Sequence, residues 1–426
     1  MKKKILITTA MERTSRILLR TELFELLKQE YDIIVASPAE LSPQWREEFK
    51  DITFFSDLMQ KGDAKNIKDI MERGNISAIV ACGNSDVPAH TFDVNFQKMG
   101  RALGIPIIII QDFIDSIFHP MPVIPDLYLC WGDFFKRMYS RKRDVMIWHP
   151  IGSLHGLSVE EPLPNVVITG PCHFDIYRKS EYYNREKFCL EIGFDIKKPI
   201  FTYLPNGEIS QWVFDTFDNF METAKEFGAQ VIIKAHPIRT GDSWIYNLII
   251  KKYPTVDVKI IADPSLNKGT AYGVKEYEGH SYHLDNFDTW ALGNLLFNSD
   301  ICCSIPSTSA LEALIFNKPV VLENMYWSHP YEVRKNVMNW YWNVLDSYKC
   351  VNRSKKYGEL FNYIEENLKN PNKNMEGRAN IVKDFFNGVQ GNSCVLTFEA
   401  IKNFLEGDLN TEEELKNLYE DPISME

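Results

Sequence analysis

Apolar residues along this chain follow two rhythms. Short, nearly unbroken runs rich in β-branched residues alternate with stretches in which apolar positions recur every three or four residues. The first series of runs is KILITT (4–9), YDIIVASP (31–38), ISAIVACG (76–83), IPIIIIQD (105–112), DLYLCWG (126–132) and NVVITG (165–170). Between the first two lies SRILLRTELFELLKQE (15–30), apolar at helical spacing, with Ser15 as its N-cap candidate. Unbroken apolar strands separated by helices predict a parallel sheet covered on both faces.

A second series follows: PIFTYLP (199–205), AQVIIKAHP (229–237), VDVKIIAD (256–263), DICCSIP (300–306) and PVVLEN (319–324). Helical patterns lie between these runs as well, SQWVFDTFDNFMETAKEF (210–227) among them, and the polar stretch SEYYNREK (180–187) separates the two series. The expected fold class is α/β, with two tandem Rossmann-like domains facing a cleft. The first takes residues 1–185 and the second 186–390, and 391–426 hold C-terminal helices and an acidic tail. The cleft would be lined by the carboxyl ends of both sheets, where open α/β sheets bind ligands.

Composition narrows the classes of function. A chain of 426 residues exceeds one ordinary core, and 45% hydrophobic with 13% aromatic content is enough to fill two. The net charge of −11 argues against nucleic acid as a partner. One basic cluster, RMYSRKR (137–143), reads as a solvated helix end, with a phosphate or membrane-surface patch as the alternative. The eight cysteines form no CxxC pair, which fits a reducing compartment and argues against zinc. The apolar run in MKKKILITTA is too short for a signal peptide, and no stretch reaches the length of a membrane span. The expected location is the cytoplasm, with the inner face of the membrane included if the basic cluster rests there.

Three stretches carry candidate chemistry. VIIKAHP (231–237) brings Lys234 and His236 to the end of a core strand, on the same side of the sheet, and Pro237 stops the strand. There His236 can donate to a phosphate oxygen, and Lys234 can pair with one. SDICCSIPSTSALEALIFNKPVVLEN (299–324) reads strand, hydroxyl-rich turn, helix, strand, with the helix beginning near Thr308. The free N–H groups and positive dipole end of its first turn, with Ser307, Thr308 and Ser309, form a cradle suited to phosphate. Glu312, one turn further, is placed to accept from ribose hydroxyls; otherwise Ser307 is only a cap and Glu312 a surface residue. PNGE (205–208) puts Asn206 and Gly207 in a tight turn that either meets the leaving phosphate or simply joins strand to helix. A base for an acceptor hydroxyl would come from strand ends of the first domain, where Glu12, Asp86, His90, Asp112 and Asp115 are the candidates. YEGHSYHLDNFDTW (277–290) holds two histidines and several acids, but its pattern suits a substrate loop better than a metal site.

The His-Pro strand end, the S-x-S-x(2)-E turn and the KPV that follows resemble bacterial surface-polysaccharide transferases of the GT-B type. These are the CDP-glycerol glycerophosphotransferase-like and the capsule sialyl- or Kdo-transferase-like families. ITGPCHFDIY (168–177), with Asp175, and DLYLCWGDFFKRMY (126–139) resemble further segments of those proteins. The turn TTAMERTSR lacks the glycines often found there, and Gly170-Pro171 departs from the commoner Gly-x-Pro. The resemblance implies His236 on the donor phosphate and Ser307, Thr308, Ser309 and Glu312 on phosphate and ribose.

The expectation is a metal-independent transferase with no cofactor. Its substrate would be a nucleotide-sugar donor, CMP- or CDP-linked by preference, and it would move a sugar or polyol phosphate onto a glycan or glycolipid acceptor such as capsule, lipopolysaccharide or a teichoic-acid-like polymer. Two alternatives stand beside it. A UDP-N-acetylhexosamine 2-epimerase shares the two-domain fold but usually carries a Gly-Gly turn and paired acids where this chain has SIPSTSALEA. A non-catalytic nucleotide-binding module is the other.

Overall fold

The computed structural model describes residues 2–9, 12–37, 53–54, 64–83, 91–148, 154–179, 183–205, 211–234, 243–261, 286–304, 307–323, 343–356 and 358–407. The first half runs β1 (Lys4–Thr8), α1 (Glu12–Leu19), α2 (Glu22–Glu30), β2 (Asp32–Ala36), β3 (Thr53–Phe54), α3 (Ala64–Gly74), β4 (Ala78–Ala81), α4 (Thr91–Ala102), β5 (Ile107–Ile110), β6 (Leu127–Cys130), α5 (Asp133–Tyr139), β7 (Arg143–Trp148), β8 (Leu154–Glu160) and β9 (Val166–Ile168). Seven of these strands form one parallel sheet in the order β3-β2-β1-β4-β5-β6-β9. The four consecutive isoleucines of β5 explain the unbroken apolar signal. Ile107 and Ile109 enter the core on one face, Ile108 and Ile110 the core on the other.

The second half continues with a 3-10 turn (Cys172–Arg178), then α6 (Arg185–Ile192), β10 (Ile200–Leu204), α7 (Gln211–Glu226), β11 (Gln230–Lys234), α8 (Ser243–Ile250), β12 (Val258–Ile261), α9 (Asn286–Asn298), β13 (Ile301–Ser304), α10 (Thr308–Ile315), β14 (Val320–Glu323), β15 (Asn352–Ser354), α11 (Glu359–Lys369), α12 (Met375–Phe386) and α13 (Ser393–Glu406). Its parallel sheet has the order β12-β11-β10-β13-β14-β15. The two doubly wound sheets expected from the hydrophobic pattern are both present. In the polar segment between them Asn184 caps α6, its side chain accepting from Lys187 N at 2.8 Å.

One local expectation changes, and two local features add to the pattern. The helix expected over 15–30 is two helices that meet at Arg20-Thr21, and Ser15 lies inside α1 rather than capping it. The Thr21 hydroxyl bonds back to Ile17 O at 2.8 Å, satisfying the end of the first helix while the backbone turns into the second. An antiparallel hairpin, β7–β8, stands outside both large sheets. The basic cluster at its base is exposed over Arg141 and Lys142, as a solvated helix end would be, and only its last basic residue is buried. Arg143 is buried, donates to Ile117 O and Glu160, and covers the Tyr139 ring at 4.8 Å, while Arg137 binds Asp384 and Lys142 binds Glu161.

The two halves share one core. α12, from late in the chain, lies on α5 of the first half, with Phe134 stacked on Phe385 at 4.4 Å. Gly132 makes this approach possible, because a Cβ there would fall 2.2 Å from the Asp384 carbonyl oxygen. α13 goes further and supplies Cys394, Phe398, Ala400 and Ile401 to the core that also holds Leu23, Leu27 and Val80.

Candidate functional site

All six strands of the second sheet are parallel, so their carboxyl ends share one edge. β11, β10 and β13 are neighbours there, which places Lys234, Leu204 and Ser304 along that edge. Lys234 is half-buried at the last position of its strand. His236, Asn206, Gly207 and Asp86 lie outside the described residues, as do His90 and the histidines of 277–290. Glu12 is the first residue of α1, just beyond the end of β1; its side chain is outside what is described. Asp112 is buried, 5% exposed.

The turn between β13 and α10 is built as its sequence implies. Ser307 is the N-cap of α10, its backbone extended and its side chain accepting from Ala310 N at 3.3 Å. Ser304 donates to Leu204 O at 2.9 Å and lies 3.1 Å, oxygen to oxygen, from Ser307. The strand end and the helix start are thereby fixed to each other and to β10. Thr308 and Ser309 occupy the first turn, both half-buried, where helix geometry gives their N–H groups no partner within the helix. Ser307 is therefore a cap, and that leaves the dipole end and the two neighbouring residues to meet an anion.

Glu312 is not a casual surface residue. It is 7% exposed, on α10, and its Oε2 accepts from the Tyr177 hydroxyl. Tyr177 belongs to the 3-10 turn that follows the first sheet, 135 residues earlier. Asp175, in the same turn, serves the frame. Its oxygens accept from Ser393 N at 3.0 Å and Cys394 N at 2.8 Å, at the start of α13. Burial raises its pKa, and those bonds work in the opposite direction.

A carboxyl that sequence reasoning passed over ends β14. Glu323 is fully buried, and by distance and angle neither of its oxygens has a hydrogen-bond partner among the described residues. Burial pushes its pKa well above the ordinary carboxyl range; the Asn219 amide on α7 is the group that works the other way. The only signal in the sequence was a lone acid closing the run PVVLE. Among the described residues no cluster of three or more His, Cys, Asp or Glu could hold a metal ion, and no helix is long and apolar enough to cross a membrane.

No protein-family model matches this chain, and neither does any curated protein. Solved structures do match over nearly the whole length. The UDP-GlcNAc 2-epimerase from Neisseria meningitidis bound to UDP-GlcNAc is 14% identical, with TM-score 0.56, covering 95% of this chain and 100% of its own. The UDP-GlcNAc 2-epimerase from Methanocaldococcus jannaschii is 13% identical, with TM-score 0.55, covering 94% and 100%. A glycosyltransferase from Rickettsia africae is 12% identical, with TM-score 0.52, covering 96% and 100%. At these identities the likeness is one of fold: two parallel α/β domains arranged as in GT-B-like epimerases and glycosyltransferases.

Proposed function

We propose that this chain is a GT-B-type enzyme acting on a nucleoside-diphosphate sugar, and that its reaction is the 2-epimerisation of a UDP-N-acetylhexosamine. The observation that carries nucleotide binding is the β13–α10 turn. There a capped helix start and hydroxyl residues sit at the carboxyl edge of a doubly wound sheet, with Glu312 one turn away. The dipole end and the Thr308 and Ser309 N–H groups meet the diphosphate, and Lys234 on the same edge adds positive charge. The choice of reaction draws its support from neighbours of like fold that are UDP-GlcNAc 2-epimerases, one of them with UDP-GlcNAc bound. Epimerisation requires a proton to leave and return at carbon 2, so a carboxylate belongs near the sugar. Glu12 and Asp86 are the candidates at first-domain strand ends.

A second reading keeps one specific observation in its favour. His236-Pro237, which follows β11 in the sequence, together with the S-x-S-x(2)-E turn, suits transfer from a CMP- or CDP-linked donor to a surface glycan. Both readings place the nucleotide at the same turn and differ in what the sugar does next.

Incubation with UDP-GlcNAc alone in deuterated water separates them. Formation of the 2-epimer, with deuterium at carbon 2 by NMR, is the expected result. No turnover, combined with thermal stabilisation by CDP- or CMP-linked donors alone, would move the assignment to the transferase. No stabilisation by any nucleotide would overturn both.

A further inference from the structure

We infer that Tyr177 is the positioning residue for Glu312, so that the ribose of the bound nucleotide is read across the boundary between the two halves of the chain. The inference rests on the reading of Glu312 as the ribose-binding carboxylate. Tyr177 is 3% exposed and held on several sides. Its ring stacks on Phe174 at 5.1 Å with 13° between planes, and leans on Phe316 at 5.1 Å. Against α9 it meets Gly293, where a Cβ would come within 2.8 and 2.9 Å of two ring carbons. A ring fixed this way has one polar atom, and that atom donates to Glu312 Oε2.

The chemistry follows from that bond. A neutral phenol donating to a carboxylate favours the ionised acid and fixes the direction of its oxygens. A glutamate near a helix start otherwise carries several rotors whose freedom is lost when a ribose binds. Fixing them beforehand converts that loss into affinity. The 3-10 turn holding Tyr177 is itself anchored to the far end of the chain. Asp175 binds the start of α13, and Arg178 donates to Gly388 O at 2.8 Å and to Val389 O. Ribose recognition is thereby tied to the packing of the two halves against each other.

The test measures affinity of the full chain for UDP and CDP and for their 2′,3′-dideoxy counterparts, in wild type, Tyr177→Phe, Glu312→Gln and the double variant. The phenylalanine keeps the ring and its packing, so the variant is expected to fold, with a lower melting temperature than wild type from the lost bond, and binding is compared well below both melts. The variant should lose about tenfold in the preference for ribose over dideoxyribose. Affinity for the dideoxy nucleotides should stay unchanged, and the double variant should be no weaker than Glu312→Gln alone. Gly293→Ala, which crowds the ring, should reproduce the loss. If Tyr177→Phe weakens ribo and dideoxy nucleotides equally, or weakens binding further in the Glu312→Gln background, Tyr177 only packs and the inference falls. If Glu312→Gln removes the ribose preference while Tyr177→Phe binds like wild type, the inference falls alone. If Glu312→Gln leaves the preference intact, or none of the four nucleotides binds wild type, the ribose reading falls with it.

Discussion

Glu323 is the residue whose surroundings make the sharpest demand. Tyr203 and Cys303 share its core, both buried, and each has its pKa raised by burial and by the nearby Glu323 carboxyl. The residues packed there from α7 and α11, such as Phe217, Phe220, Leu360 and Ile364, are apolar; Thr216 and Asn219 are the polar exceptions. No charged group among the described residues offsets the burial, so the folded protein holds Glu323 as the neutral acid above the pH at which the unfolded chain releases its proton. Between those two pKa values the folded state carries a proton that the unfolded state lacks. Stability is therefore greatest below the ordinary glutamate value of 4.5 and falls as pH rises above it. Glu323→Gln keeps the shape without the titration. Thermal melts from pH 5 to pH 8 should fall in wild type and fall less in the variant, a gap of roughly 2–4 °C, the size of a 1 kcal/mol effect in a medium-sized domain. Parallel curves would show that Glu323 does not titrate in this window.

Among the elements, α13 depends most on something far away in sequence. Its own N-cap, Asn392, makes no side-chain capping bond, and Asp175 does that work from 218 residues earlier. Asp175→Ala should cost about 1–2 kcal/mol, the range seen for lost caps, measured by urea unfolding. A wild-type midpoint would show that solvent serves those N–H groups equally well. Elements such as β5 and β13 were legible because a run like IIII or ICC allows little but a buried strand. β15 was not, because NRS is polar and only its pairing with β14 makes it a strand. The hairpin hid for the same reason: Arg143 and Asp144 open β7, and Arg143 is buried because Glu160 and Ile117 O, both distant in sequence, and the Tyr139 ring receive it. At the site, Ser307 was legible as a local cap. The Tyr177–Glu312 bond was not, since no local spacing relates a tyrosine after one sheet to a glutamate inside the other.

The whole molecule behaves as one body in its packing. A single core runs from Ile109 under the first sheet through Trp131, Phe174 and Phe385 to Leu322 under the second. Trp131 sits at the centre of that path. Its indole N–H donates to Gln111 O at 2.8 Å and its ring lies against Phe135, Phe174 and Phe386. Neither half can lose this seam without exposing the apolar surface of the other, so calorimetry should record one cooperative unfolding transition. Two separable transitions would show that the shared core is weaker than either sheet's own.

The return of α13 to the first sheet also sets a timetable for synthesis. The core formed by Leu23, Leu27 and Val80 is closed by Phe398 and Ile401, which the ribosome adds more than three hundred residues later. At about 5–20 residues per second, that interval lasts on the order of 15–60 s. Throughout it the first half of the nascent chain carries an open apolar face, and a chaperone able to shelter that face would serve until the last helix arrives.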